Sequence, residues 1–382
     1  MKDEVGEELP TDVAPPRSQR RDGLGVDRVT NDPDVEVVPS TPVSLTFKQA
    51  MHSPCLSCKA SPCCTHLLLR KFSIEDLGDV DYVLYVSNFT GILLDVDAGG
   101  NFRVYLSQAC GFLDDEGLCK VHGTPAQPSI CSHYNAHACR YRFAMTADLN
   151  PAQPLLDARR ARWYAEQVTF DETRHVVDLP DWDKLLEAFA TMPLDRTRAP
   201  IPPENSAQAE WRQIVLSGRT AATTYDDLHF HDRAVLDPCN GCAAYCCSNL
   251  VFPRQIPTDA SEFDFFRYCL GFPSVELSIA EESWTVVVRT SCSHLAGGRC
   301  SLFGKDERPL RCSYYDPLKC AYRDHFEEPV PSDQVRVTRE EFAVLAGSVV
   351  FDATGRVRRV PTVELLKARI EASFPVASMP YG

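Results

Sequence analysis

The sequence predicts an α+β protein: two homologous small cysteine-cluster domains with loop-rich metal sites, joined by a helical bridge. Three observations carry this. Sixteen of the 17 cysteines fall into two strings of one pattern. The first string is Cys55, Cys58, Cys63, Cys64, Cys110, Cys119, Cys131 and Cys139; the second is Cys239, Cys242, Cys246, Cys247, Cys292, Cys300, Cys312 and Cys320. The likeness extends beyond sulfur, because an offset of 183 places Asp81 on Asp264, Tyr85 on Tyr268 and Phe89 on Phe272. Finally, each string interleaves a helix-like run with two β-branched, aromatic runs, the mark of a repeated fold.

Along the chain, residues 1–45 are rich in Pro, Asp, Glu and Arg without an apolar period and predict a disordered leader. Residues 46–145 form the first cysteine-cluster domain. There DLGDVDYVLYVSN predicts a short helix opened by an acidic cap, and GILLDV with NFRVYLSQAC predicts a hairpin delivering Cys110. The Gly- and Pro-rich loop from Gly117 to Cys139 carries the last three cysteines, and such loops hold shape best when a metal ties them. Residues 146–235 predict the helical bridge, with helical spacing in LLDARRARWYAEQV, WDKLLEAFATM and AEWRQIVLSG. The second domain, 236–326, repeats the first through DASEFDFFRYCLG, SVELSI, SWTVVVRTSC and the loop from Gly298 to Cys320. Residues 327–382 predict a C-terminal helical extension closing with an amphipathic helix at TVELLKARIEASF.

Composition narrows the function. The net charge of −14 disfavours a nucleic-acid partner, whose phosphates need clustered Lys and Arg. No apolar run approaches the ~20 residues of a membrane span, and the acidic N-terminus lacks the apolar core of a secretory signal. The expected location is therefore cytoplasmic, where thiols stay reduced and dense cysteine points to metal rather than disulfides. Cys269, outside the pattern in FDFFRYCLGF, is expected in the core.

The spacing has chemical content. A C-x2-C step turns two thiolates toward one centre, whereas the side chains of adjacent cysteines diverge. The pairs Cys63-Cys64 and Cys246-Cys247 thus argue for a cluster or for two sites, and eight thiolates per string suit two four-cysteine sites. No histidine is shared between the strings: His66, His122, His133 and His137 align with Asn249, Phe303, Tyr314 and Leu318, and His294 aligns with Phe112. Each is expected on the surface or supporting a ligand. All sixteen cysteines are the expected ligands, with iron–sulfur clusters (4Fe-4S, more than one) as cofactor and zinc as the alternative.

The string from Cys239 to Cys247, followed by C-S-H-L, G-R-C-S-L-F and R-P-x2-C up to Cys312, resembles the CxxCxxCC family of YkgJ-type proteins, described as zinc- or iron-chelating. The likeness covers 236–315 well and 50–135 more loosely, since Arg308-Pro309 is matched by Gln127-Pro128. Both strings lengthen the gap before the adjacent pair. Flagellin lysine-N-methylases contain a similar cysteine cluster, thought to hold an iron–sulfur centre, which implies a precedent for protein modification.

The sequence carries no G-x-G-x-x-G, P-loop, H-E-x-x-H or G-x-S-x-G signature, and lacks the C-x3-C-x2-C string of radical enzymes. The expected function is an iron–sulfur protein with a redox or protein/peptide-modifying role and a protein, peptide or electron-transfer partner. The alternative is a non-catalytic zinc-binding scaffold or metal carrier. Tyr314, Tyr315, Tyr322 and Arg323 are candidates to line a pocket or to shield the cluster.

Overall fold

The computed structural model describes residues 46–50, 62–115, 117–133, 154–200, 245–296, 299–314 and 334–374. The chain divides into two units, Met1–Ala60 and Ser61–Gly382. In the first, a short helix is described, Phe47–Ala50 (α1); the expected leader lies outside the described residues. The rest concerns the second unit, which mixes helix and strand.

Its first half opens with a helical turn, Pro62–Thr65 (α2), which runs directly into strand His66–Ser73 (β1). Helix Leu77–Ser87 (α3) follows, started by Asp76, whose carboxylate accepts the N–H of Asp79 at 3.0 Å. The expected hairpin is formed by Ile92–Val96 (β2) and Asn101–Ser107 (β3), paired antiparallel with Leu94 opposite Val104. All of β2 is buried, as its unbroken apolar run ILL requires. Strand β1 pairs on the other edge of β3, with His66 opposite Ser107.

The structure departs from the expected bridge at Leu155–Leu156 (β4), which pairs with β2 and completes a four-stranded sheet in the order β1-β3-β2-β4. Helix Ala158–Gln167 (α5) starts only afterwards, where Asp157 accepts the N–H of Arg160. Two leucines ahead of a helical period look like its first turn, but here they bury themselves by extending the sheet. A small hairpin, Thr169–Phe170 (β5) with Val176–Asp178 (β6), and helix Trp182–Thr191 (α6) follow. Residues 155–191 are thus part of the first half's own fold. The run AEWRQIVLSG lies outside the described residues.

The second half passes through the same order of elements, with one added pair of short strands. Turn Tyr245–Ser248 (α7) leads into Asn249–Arg254 (β7), and helix Ala260–Cys269 (α8) is capped by Asp259. Strands Val275–Ala280 (β8) and Trp284–Arg289 (β9) form the hairpin. Short strands Leu295–Ala296 (β10) and Arg299–Cys300 (β11) pair with each other, and turn Leu310–Ser313 (α9) completes the loop region. Gln334–Val337 (β12) joins β8, giving the sheet order β7-β9-β8-β12. Helix Phe342–Ala346 (α10), hairpin Val350–Phe351 (β13) with Val357–Arg359 (β14), and helix Val363–Ser373 (α11) close the half. The expected closing helix is present, but the extension also contains a strand and a hairpin. One apolar core runs through both halves, from Leu94, Phe102 and Leu106 to Phe272, Trp284 and Val286, each wholly or almost wholly removed from water. Burying a side chain of this size contributes about 1.5–3 kcal/mol.

The two small hairpins dock alike. Leu77 N donates to Arg174 O and Val176 N to Glu75 O; Ala260 N donates to Gly355 O and Val357 N to Thr258 O. In each turn an aspartate, Asp171 or Asp352, accepts from the backbone N–H two residues on and from a threonine hydroxyl. These bonds hold both carboxyls below the usual carboxylate range. The next residue takes a left-handed conformation: glycine in the second turn (Gly355, φ 82°) but arginine in the first (Arg174, φ 71°). Arg174→Gly is therefore expected to stabilise the protein by about 1 kcal/mol, read as a rise in Tm. An unchanged or lower midpoint would mean that the arginine pays no conformational penalty there.

Candidate metal centre

Strand pairing explains how thiols far apart in sequence meet. Cys63 and Cys64 sit in α2, immediately before β1, while Cys110 lies just past the end of β3. Because β1 and β3 are antiparallel, the start of one lies beside the end of the other, and Cys110 N donates to Cys64 O at 2.7 Å. In the second half Cys292 N donates to Cys247 O, also at 2.7 Å, beside the pairing of β7 with β9. Cys131 and Cys312 are then presented by α4 (Ser129–Ser132) and α9, each following a proline whose carbonyl accepts the cysteine's N–H. Cys300 sits opposite Leu295 in the β10–β11 pair, and Cys119 is bridged to Leu113.

In each half these sulfurs lie close enough to act on one another's ionisation. Cys131 is exposed as a residue, but desolvation at its sulfur, then the neighbouring charges of Cys63, Cys110, Cys119 and Asp264, push its thiol up to about 12. Burial and then Cys247 push Cys312 up to about 12, with Arg308 opposing and Cys292 and Cys300 adding to the rise. Cys292 is raised to about 11, mainly by burial. The adjacent pairs behave differently. A hydrogen bond from Cys64, 4.0 Å away, draws Cys63 down to about 7 against the effect of burial, and raises Cys64 itself. A bond from Cys246, helped by Arg308, likewise draws Cys247 down to about 7 against burial.

Of the sixteen expected ligands, the structure gathers Cys63, Cys64, Cys110, Cys119 and Cys131 in the first half, and Cys246, Cys247, Cys292, Cys300 and Cys312 in the second. Cys55, Cys58, Cys139, Cys239, Cys242 and Cys320 lie outside the described residues. Among the described residues no three His, Cys, Asp or Glu side chains stand in metal-holding geometry. The donor chemistry nonetheless fits a thiophilic metal: all-sulfur sets, mostly half-buried, in which thiolates repel one another unless a cation shares them. Cys269 is 1% exposed and packed in the core, with burial raising its thiol to about 12.

Among the described residues, the rings of His66 and His133 bond oxygen atoms, while His122 donates its backbone N–H to Cys119 O; His137 lies outside the described residues. His66 is held between the hydroxyls of Thr65 and Ser107, and burial, with Arg198 adding, lowers it to about 4, so it is neutral at pH 7. His133 contacts Ser129 O and Ser132 Oγ at the surface. Burial lowers His294 as well. Tyr314 is 82% exposed; Tyr315, Tyr322 and Arg323 lie outside the described residues.

Sequence reasoning missed the residues that hold the sulfur-bearing turns. Tyr268 Oη donates to Cys63 O at 2.7 Å, and Tyr85 Oη donates to Cys246 O at 3.2 Å. Asp264 accepts from the N–H and hydroxyl of Ser129, the first residue of α4. Asp81 accepts the N–H groups of Leu310 and Arg311 in α9 at 2.5 and 2.8 Å. Each support comes from the opposite half. Cations are also unevenly sourced: Arg308 lies over Phe303 beside the second set, while Arg339, over Phe112 at 5.0 Å, serves Cys110 of the first. Gln127, where the first loop lacks the arginine, instead accepts Gly123 N.

No protein-family model, no curated protein and no solved structure matches the chain. Among the described residues, no helix is long and apolar enough to cross a membrane.

Proposed function

We propose that the chain is a metal protein of the CxxCxxCC type that binds iron–sulfur clusters through its two cysteine strings and works in a redox or protein-modifying reaction. The observation that carries this is the convergence, in each half, of sulfurs from an adjacent pair, a strand end and a proline-led turn. Cys63, Cys64, Cys110, Cys119 and Cys131 would hold metal in the first half, with Cys55, Cys58 and Cys139 as further donors. Cys246, Cys247, Cys292, Cys300 and Cys312 would do so in the second, with Cys239, Cys242 and Cys320. A cluster bound there supplies one-electron chemistry. The chain's own part is to hold most of these sulfurs half-buried, to limit water, and to set Arg308 and Arg339 where they offset thiolate charge. A cytosolic protein, peptide or electron-transfer partner belongs to the same proposal.

The test is metal and sulfide analysis with a visible spectrum on the full chain purified without oxygen. Iron with matching acid-labile sulfide and a broad band near about 400 nm is the expected result. Colourless protein with stoichiometric zinc would overturn the cluster in favour of a zinc scaffold or carrier, and protein without metal would overturn both.

A further inference from the structure

Each set of sulfurs is shaped by one helix of the opposite half. On α8, Asp264 and Tyr268 are four residues apart and so share a face. From that face the phenol holds Cys63 O and the carboxylate holds Ser129, so one helix clasps both the adjacent pair and the turn bearing Cys131. On α3, Asp81 and Tyr85 have the same spacing and clasp Cys246 O and the turn bearing Cys312. The clasp continues past the helix ends. Gly111 N donates to Gly271 O and Ser293 N to Asn88 O, joining the residue after Cys110 or Cys292 to the opposite half. Gly271 lies so close to Cys110 that a Cβ there would be 3.1 Å from its sulfur.

Resting on the reading of these cysteines as ligands, we propose that the two sites take up metal as a coupled pair, with Tyr268 and Asp264 positioning the first and Tyr85 and Asp81 the second. Drawing Cys63 and Cys131 onto one centre fixes both turns that α8 grips, and so orders α8. That helix passes through Phe272–Ser274 into β8, which pairs with β9, the strand leading to Cys292. Helix α3 leads equally into β2, beside β3 and Cys110. Ordering one site thus prepares the other, and linkage makes the effect reciprocal.

The test is titration of the metal-free full chain with cobalt(II), following the thiolate-to-cobalt charge-transfer band. With the second site disabled by Cys292→Ser and Cys312→Ser, the first is expected to bind cobalt about 5- to 150-fold more weakly than in the intact chain. Tyr268→Phe, which removes one hydroxyl and keeps the ring against Phe272, is expected to weaken the first site in the intact chain and to alter its band. Tyr164→Phe, which removes a hydroxyl from a buried ring packed on Phe102, at the end of β3 opposite to Cys110, should leave cobalt binding as it was. A normal band with both sites binding independently, and Tyr268→Phe matching Tyr164→Phe, would overturn the coupling while leaving the metal reading intact. Absence of any thiolate–cobalt band in the unaltered chain would overturn both.

Discussion

Replacing Cys246 and Cys247 together with serine is expected to strip the second half of metal and reduce the metal content of the chain by at least about half, since a serine hydroxyl stays protonated and its oxygen is a poor ligand for a thiophilic metal. The pair is also the anchor of its neighbourhood. Cys247 O receives the N–H of Cys292, and Cys246 O receives the phenol of Tyr85, so the backbone geometry survives while the sulfur donors vanish. Bound metal stabilises only the folded state, and at a thousandfold excess over Kd this is worth about 4 kcal/mol. The variant should therefore melt markedly lower when metal is present and close to the parent when both are metal-free. Metal analysis and calorimetry read the two effects separately. Cys269→Ala is the matched control: it removes a buried sulfur from the core and should leave metal stoichiometry untouched. Unchanged metal content and melting in the double serine variant would remove these two residues from the ligand set.

Gly91→Ala is expected to cost about 3 kcal/mol or more of stability, combining a strained backbone with a collision in a packed interior. Gly91 has φ of 77°, and a Cβ there would lie 2.6 Å from both Cα and Cβ of Ala199. Ala199 cannot move away freely, because its N–H donates to Ser107 O at 2.9 Å, while Ser107 N donates to Gly91 O at 2.6 Å. Ser107 ends the strand that leads to Cys110, and Gln108 N donates to Thr65 O, next to the adjacent cysteines. The strain would thus be felt at the first sulfur set. Gly123 separates the two causes: it has φ of 71° with nothing within 4 Å of a built Cβ, so Gly123→Ala carries the backbone penalty alone, about 1 kcal/mol. Equal denaturation midpoints for the two alanine variants would show that the Gly91–Ala199 contact is not tight.

Much of this architecture is legible in the sequence. The helices α3 and α8 were marked by an aspartate cap ahead of an apolar run, and the hairpins by β-branched runs between turn residues. The short elements were not. Leu155–Leu156 and the hairpin strands of two or three residues are too brief to show a period, and only pairing reveals them. A signal for them existed all the same: an offset of 181 sets Phe170-Asp171 and Thr173 on Phe351-Asp352 and Thr354, the residues that build both turns. At the sulfur sets, spacing picked out the cysteines but could not say which backbone groups hold them. Asp81, Tyr85, Asp264 and Tyr268 matched between halves, yet a match does not tell what a side chain touches, and here it touches residues more than a hundred positions away.

The exchange of supports between halves has the form of a two-fold dimer interface, in which one residue meets a second and the second's counterpart meets the first's. Two identical subunits joined this way are bound to carry two identical centres, because any substitution appears in both. Here both halves lie on one chain and are free of that constraint. The differences already present, Arg308 against Gln127 and Phe303 against His122, could be acquired by one centre without altering its twin. A covalent pair of this kind can give its two sulfur sets different electrostatic surroundings while keeping the mutual bracing between the halves.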